Sequence, residues 1–495
     1  MIGPPISLVF KSSPECADIE LLAYPMHNIS TALTEYFRCP DKFATFIAPR
    51  VLSHDSGYFR FGSEDVICYG RTERGFRCAS AGEELSTINA NRSDRDISVP
   101  FLPDELVDNL RREHYAATCR PSVSRKGING PVTAVYYALR PWMPVRLRKY
   151  LQRIRQNGWR QIRFPAWPND TSVDDLLGNL LALSIVNAGE RVPFIWFWPE
   201  GATACLALTH DVESQVGYDS CATLMDIDER FGFRSSFQIV PEERYEPTLM
   251  FVHEIKRRGF EVNIHDLNHD GHLFRDWVTF STRTAKIRDY AVKFGANGFR
   301  SAIMYRNPDW LPSLGFQYDM SIPNAGHLDP QHGGCCTIMP FAIGNTIELP
   351  LTTVQDYALF HMLNSHSLEL WQQQTELIVR RHGFASFLVH PDYIVREKDR
   401  DTYIRLLDYL AEVRTSLGLW AALPQEVSDW WRTRANMRVV QRDGSWTIEG
   451  PQSDRARLAF AELRNGRLTF ELAHANVGPP SQSLKDGPPG VALTN

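Results

Sequence analysis

Long hydrophobic runs are missing from this sequence. Its apolar stretches are only a few residues long, far short of the roughly 20 residues that a membrane-spanning helix needs. A secretory signal is not recognisable either, because the N-terminus has no basic region and its apolar stretch, residues 6–10, is short. We therefore expect no transmembrane segment and a cytoplasmic protein.

An excess of basic residues is also missing. The net charge is −5, whereas a DNA- or RNA-binding domain usually carries a basic face, so we expect no nucleic-acid partner. The local exception is the segment 140–163, in which basic and apolar residues are interleaved. This pattern favours a solvated helix on a domain linker, although an amphipathic helix in peripheral contact with an anionic membrane has the same pattern.

Paired cysteine motifs are absent as well. The nine cysteines form no C-x-x-C pair, which argues against a disulfide framework and against a zinc finger. Cys335 and Cys336 are adjacent and cannot easily share one tetrahedral metal site. The segment Gly333-Gly334-Cys335-Cys336 therefore predicts a turn with buried thiols.

The chain is too long, at 495 residues, for a single hydrophobic core. Residues 1–195 form a mixed, partly β-rich zone of unknown role, with short apolar runs at 43–48, 58–61 and 66–69. Residues 196–422 alternate between apolar runs and helical stretches, and residues 423–478 have the pattern of a small β-module. Residues 479–495 are rich in Pro, Gly and Ser, which predicts a disordered tail.

The alternating zone predicts an α/β fold with a mostly parallel sheet, either a barrel or a doubly wound sheet. Helices are predicted around Leu249–Ile255, around Ile287–Phe294 with Gly295 as its end, and from Asn307-Pro308 to Gly315. Titratable residues directly follow several of the strands, where such a barrel builds its active site. The predicted strands are 205–209, 236–240, 260–264, 298–301, 347–349 and 384–389.

Two histidines follow the third of these strands. His265 and His269 are four residues apart, so on one helical turn both imidazoles would reach a single metal ion. His272 adds a third imidazole nearby. Surface histidines often show the same spacing, but their place at a strand end favours a metal site.

Two carboxylates follow the first strand. In an extended chain Asp211 and Glu213 point to the same face, and such a pair is costly unless a positive group holds it. Solvated acids at a helix start would be the alternative, but a metal explains the pair better. One carboxylate would bind the ion and the other would accept a proton from water. His390, after the last strand, is well placed as a general acid.

The order of these residues resembles the polysaccharide deacetylase family, carbohydrate esterase family four with its NodB-homology domain. Five segments within residues 205–393 are similar to its five motifs. They are Thr209-His210-Asp211-Val212-Glu213, His265-Asp266-Leu267-Asn268-His269, Gly298-Phe299-Arg300-Ser301, Tyr318-Asp319-Met320-Ser321 with Pro323, and Leu388-Val389-His390.

This resemblance implies a distorted (β/α) barrel that binds one divalent ion, Zn²⁺ by preference, and removes an N-acetyl group from a sugar or glycan precursor. Asp211 is assigned as general base and Glu213 as metal ligand with His265 and His269, although the two acids could exchange roles. His390 would be the general acid, and Arg300 would orient the base.

The sequence departs from the family at two positions. The adjacent carboxylates of the first motif are separated here by Val212, and Ser301-Ala302 replaces the usual proline-tyrosine after the arginine. Two other functions stay open: hydrolysis of a small cyclic amide or ureide on the same fold, and non-catalytic carbohydrate binding.

Overall fold

A computed structural model describes residues 159–473 and residues 26–116, the latter apart from gaps at 63–65, 74, 76–79, 83 and 94–95. Most of the basic segment 140–163 and the whole tail 479–495 thus lie outside the described residues. None of the helices in the described ranges is long and apolar enough to cross a membrane.

Residues 26–116 contain short strands and two helices, Thr31–Phe37 and Pro103–Arg111. The strands are β1 (Met26–Ile29), β2 (Thr45–Ala48), β3 (Gly57–Phe61), β4 (Val66–Gly70), β5 (Thr87–Ile88), β6 (Asn91–Arg92) and β7 (Ile97–Ser98). One sheet has the order β1-β2-β7-β6 and another the order β4-β3-β5. The three apolar runs of this zone therefore do form strands β2, β3 and β4.

The central part of the chain alternates strands and helices. Its strands are β8 (Val192–Ile195), β9 (Cys205–Val212), β10 (Ser235–Ile239), β11 (Glu261–His265), β12 (Gly298–Arg300), β13 (Tyr318–Asp319), β14 (Phe341–Ile343), β15 (Thr346–Glu348), β16 (Phe384–Leu388) and β17 (Trp420–Ala421). Its helices are Ser172–Ala188, Gln215–Arg230, Leu249–Arg257, Trp277–Phe294, Glu369–Arg380, Pro391–Ile394, Glu397–Leu417 and Pro424–Ala435. All six predicted strands are present, within three residues at each end.

Nine of these strands form one curled half-barrel sheet in the order β14-β15-β13-β12-β11-β10-β9-β16, with β17 also paired to β9. Every pair is parallel except β14 with β15. Between the two ends of the sheet, Thr353 donates its backbone N–H to the carbonyl of Ser386 in β16 at 3.3 Å. The expectation of a mixed α/β fold with a mainly parallel sheet is thus confirmed.

Local capping explains where the surrounding helices begin and end. Ser214, Thr248 and Asp276 each accept a backbone N–H of the first turn that follows, and Gly295 ends Trp277–Phe294 in a left-handed conformation. The prediction of a helix from Asn307-Pro308 to Gly315 is wrong. That segment is a turn followed by the 3₁₀ helix Leu311–Leu314, because the Asn307 side chain accepts the N–H of Asp309 and closes a local turn instead.

The C-terminal strands are β18 (Arg438–Arg442), β19 (Ser445–Glu449), β20 (Leu458–Arg464) and β21 (Arg467–Leu472). β18 and β19 form a hairpin, while β20 pairs with both β21 and β8. The last strand before residue 196 and the segment after residue 423 therefore share one sheet and one hydrophobic core. The proposed division at residues 195 and 422 stays a prediction.

Candidate metal centre and active site

The site lies at the carboxyl ends of β9, β11, β12 and β16, where parallel strands bring their final residues to one edge. Asp211 is the next-to-last residue of β9, and His265 and Arg300 are the last residues of β11 and β12. His390 follows β16. The structure thus brings all six predicted site residues together, because Glu213 and His269 lie just beyond the ends of β9 and β11.

The two histidines do not lie on a helical turn, contrary to our expectation. Residues 266–272 form an irregular loop in which Asp266 and His269 have left-handed backbone angles, with φ of 55° and 56°. This turn returns the chain so that the imidazole rings of His265 and His269 lie 4.8 Å apart. Such strained angles in ordinary residues cluster at functional sites.

The imidazole Nε2 atoms of His265 and His269 are buried, and among the described residues neither has a partner in hydrogen-bonding geometry. Glu213 Oε1 lies 3.7 Å from the first and 2.9 Å from the second. The ligand atoms of these three residues all lie within 4.8 Å of one another. Two imidazoles and one carboxylate are a donor set that Zn²⁺ accepts, so the residues present fit a divalent ion.

Asp211 lies beside this cluster but has a different partner. Its Oδ1 accepts a hydrogen bond of 2.8 Å from Nη1 of Arg300, while its Oδ2 lies 3.5 Å from Nε2 of His265. Arg300 also donates to the hydroxyl of Thr209 and to the carbonyl of Met320. The guanidinium is fully buried, and these bonds fix both its position and that of one carboxylate oxygen of Asp211.

His390 is held by Asp356, which sequence reasoning missed. The Asp356 carboxylate bonds to His390 Nδ1 at 2.6 Å and accepts the His390 backbone N–H at 2.7 Å. The other ring nitrogen, Nε2, lies 3.5 Å from Glu213 Oε1 and so points to the cluster. Asp392, the nearest acid in sequence, instead accepts a hydrogen bond from Ser214.

Electrostatics within the cluster keep the carboxylates ionised. Burial raises the pKa of Asp211, but the positive charges of Arg300 and His265 lower it by more than burial raises it, so the net shift is downward. For Glu213, burial is likewise outweighed by His269 and His390, and its pKa falls well below the usual range. Burial lowers the pKa of His390, yet Asp356 and Glu213 raise it well above the usual value. Carboxylates that favour a proton on an imidazole also favour a metal cation, because proton and metal compete for the same nitrogen.

Two supporting residues could have been found from the strand-end pattern. Asp356 follows β15 by eight residues and lies two residues before the π-helix Ala358–Met362. Arg244 follows β10 by five, and its guanidinium donates to the His269 carbonyl at 2.7 Å. Both residues lie farther along the chain from the end of their strand than the residues that we had singled out. His272, by contrast, is half exposed and pairs with Asp270 outside the cluster.

The segment Tyr318-Asp319-Met320-Ser321, which is similar to the fourth motif, holds the residues of β12 in place through hydrogen bonds. Met320 accepts the Arg300 bond, and Ser321 accepts the backbone N–H of Ser301 at 2.9 Å. Cys335 and Cys336 are buried, free thiols remote from the ligand set, as the sequence indicated.

No family model matches the chain, and no curated protein matches it. Among solved structures, a candidate polysaccharide deacetylase from Mycobacterium smegmatis is 18% identical, with a TM-score of 0.39 over 50% of this chain and 96% of the other. The Puue allantoinase is 12% identical, with a TM-score of 0.37 over 48% and 92%. A family 4 carbohydrate esterase from Streptomyces lividans, in complex with acetate, is 12% identical, with a TM-score of 0.30 over 45% and 93%. These likenesses are weak, so the chemical assignment rests on the geometry of the site.

Proposed function

We propose that the protein is a metal-dependent hydrolase that removes an N-acetyl group from a sugar or glycan precursor. The observation that carries this proposal is the convergence of the buried Nε2 atoms of His265 and His269 on Oε1 of Glu213, with no hydrogen bond formed by either nitrogen among the described residues. Buried polar atoms are rarely left without a partner. A divalent ion held by these three residues, Zn²⁺ by preference, would polarise an acetyl carbonyl and lower the pKa of a water molecule.

The remaining groups divide into a base side and an acid side. Asp211 is the proton acceptor, because its Oδ2 faces the cluster while Arg300 holds its Oδ1 and keeps the group ionised. Glu213 fits the ligand role better, since its Oε1 lies close to both imidazoles, 2.9 Å from His269 Nε2 and 3.7 Å from His265 Nε2. This division supports the assignment of base and ligand made from the sequence.

His390 is the proton donor to the leaving amine. An amine is a poor leaving group unless it is protonated, so amide hydrolysis needs an acid on the side opposite the base. Asp356 holds Nδ1 and thereby directs Nε2, with its proton, towards the cluster. The Tyr393 ring lies 5.3 Å from the His390 ring and offers an aromatic surface near this position.

An acetate-release assay tests the proposal. N-acetylated oligosaccharides should release acetate in the presence of Zn²⁺, and removal of the metal with a chelator should abolish release until Zn²⁺ is restored. A parallel panel of cyclic amides and ureides tests the alternative reaction. Turnover of the second panel alone would overturn the sugar assignment, and no turnover of either would overturn the enzymatic one.

The Asp356–His390 pair makes a separate prediction. The pH–rate profile should be bell-shaped, with His390 on the basic limb, because the acid must be protonated while the base is ionised. Since the Asp356 charge raises the pKa of His390, Asp356→Asn should move the basic limb to lower pH. His390→Ala should remove that limb and lower kcat by about 10²–10⁴-fold, less for substrates whose amine leaves easily.

Asp392→Asn is the matched control for Asp356→Asn. Its carboxylate bonds to Ser214 rather than to the imidazole, so the limb should shift less. A His390→Ala variant that kept the wild-type basic limb would show that another residue supplies the proton.

A further inference from the structure

Arg111, at the end of helix Pro103–Arg111, is a buried cation for which the described residues supply no hydrogen-bond or ion-pair partner. Its exposed fraction is 7%, and its Nε is buried without an acceptor. Within the described residues it makes no hydrogen bond or ion pair, and its main contact is the Phe341 ring, 5.1 Å from the guanidinium carbon. Burying an unpaired charge is expensive, so such a group normally has an anionic partner.

Arg111 lines a cavity of about 180 Å³ between helix Thr31–Phe37, strand β14 and helix Pro424–Ala435. A cavity needs only about 10–15 Å³ to hold one water molecule, so this one has room for a small organic molecule. Aromatic rings of Tyr36, Phe341 and Trp431 form part of its wall. None of the metal-centre residues lines it.

Two further arginines line the same cavity, and their bonding differs. Arg434 already uses four of its five N–H groups, since it donates to the backbone carbonyls of Trp196, Glu35, Tyr36 and Ile195. Arg38 donates through Nη2 to the carbonyl of Met437, but its Nε is buried and has no acceptor among the described residues. The terminal guanidinium nitrogens of Arg111, and Nη1 of Arg38, make no hydrogen bond among the described residues, so both side chains can donate to a ligand in the cavity.

The charge around the cavity is strongly positive. Glu35, an exposed side chain, is the one acidic residue in the described lining, against three arginines. The excess of two positive charges matches a dianion better than a monoanion. Burial lowers the pKa of Arg111 and of Arg38, and the charges of nearby acids, Glu35 for both and Asp174 for Arg111, offset this effect only in part.

We propose that this cavity binds the phosphate group of a small phosphate monoester, between the guanidinium groups of Arg38 and Arg111. Phosphate presents several acceptor oxygens to the forked donors of arginine, and the aromatic wall accommodates the organic part.

Calorimetric titration of the full-length chain with phenyl phosphate and with inorganic phosphate tests this site. We expect one phenyl phosphate to bind per chain, more tightly than inorganic phosphate and more tightly than benzoate, which carries a carboxylate on the same ring. His265→Ala should bind phenyl phosphate as the wild type does, which separates this site from the metal centre and from the proposed deacetylase function.

Arg111→Met should weaken phenyl phosphate binding by about 10²-fold, the effect typical of removing one partner from a buried charge pair. Without ligand, the same variant should melt at a higher temperature than the wild type, because it removes an unpaired buried charge. A merely structural arginine would lower the melting temperature instead. Arg38→Met should also weaken phenyl phosphate binding. This variant tests the proposal if Arg111→Met does not fold.

Arg112→Met is the matched control. Arg112 is adjacent in sequence but pairs with Asp108 and Asp309 and does not line the cavity, so binding should be unchanged. The proposal is overturned if neither phosphate compound binds, if Arg111→Met binds as the wild type does, or if benzoate binds more tightly than phenyl phosphate.

Discussion

Alanine at His265 or at His269 is expected to remove most of the bound metal and, with it, all acetate release. Each substitution deletes one of three ligands and leaves only one imidazole and one carboxylate, too few to hold a structural or catalytic zinc ion. Because both imidazoles are nearly fully buried, water is poorly placed to substitute for either. Elemental analysis after dialysis measures the metal content directly.

His272→Ala is the matched control for both variants. This imidazole belongs to the same loop, but it is half exposed and pairs with Asp270, so its loss should leave the metal content unchanged. Full metal occupancy in both His265→Ala and His269→Ala would exclude the proposed centre. Loss in all three variants would point to collapse of the loop, which circular dichroism and thermal melting would reveal.

Asp211→Asn is expected to abolish most turnover while the protein keeps its metal. The amide can still accept the Arg300 hydrogen bond through its oxygen, so the position should survive, but an amide cannot take a proton from water at neutral pH. Loss of a general base typically lowers kcat by about 10²–10⁴-fold. Parallel measurement of metal content and acetate release on one sample separates the two effects.

Glu213→Gln should give the complementary result. It neutralises the carboxylate nearest to His269, so metal affinity should fall by more than the roughly 10–100-fold seen when an outer partner of a ligand is lost. A titration with Zn²⁺ should then restore part of the activity, which Asp211→Asn would not allow. If Asp211→Asn lost the metal and Glu213→Gln kept it, the two carboxylates would exchange roles and the overall mechanism would stand.

Pattern in the sequence located six of the nine strands of the half-barrel and the edge on which the site lies, but it missed β13, β14 and β17. β11 ends in His265, β12 ends in Arg300, and β9 has Asp211 next to its last residue. This local signal does not depend on distant contacts. The same signal singled out Asp211, Glu213, His265, His269, Arg300 and His390. It failed for residues 307–315, where a side-chain hydrogen bond of Asn307 competes with helix formation.

The four-residue spacing of His265 and His269 correctly predicted that the two imidazoles lie close together, but it predicted the wrong backbone conformation. An irregular loop with two left-handed residues, rather than a helical turn, brings the two rings together. Backbone angles of this kind are imposed by the surrounding packing, so no residue pattern predicts them.

The amino-acid sequence by itself determined the alternation of strands and helices, the polar residues at several strand ends and the residue types able to bind a metal, because these depend on local periodicity and composition. Only the tertiary structure decided which groups act on each other. The hydrogen bond of Asp356 with His390, the hydrogen bond of Arg300 to Asp211 rather than to Glu213, and the cavity lined by both Arg38 and Arg111 all join residues far apart in the chain. Such contacts depend on how the strands and helices pack. Whether a buried charge stabilises or destabilises the protein depends on the neighbours that this packing provides.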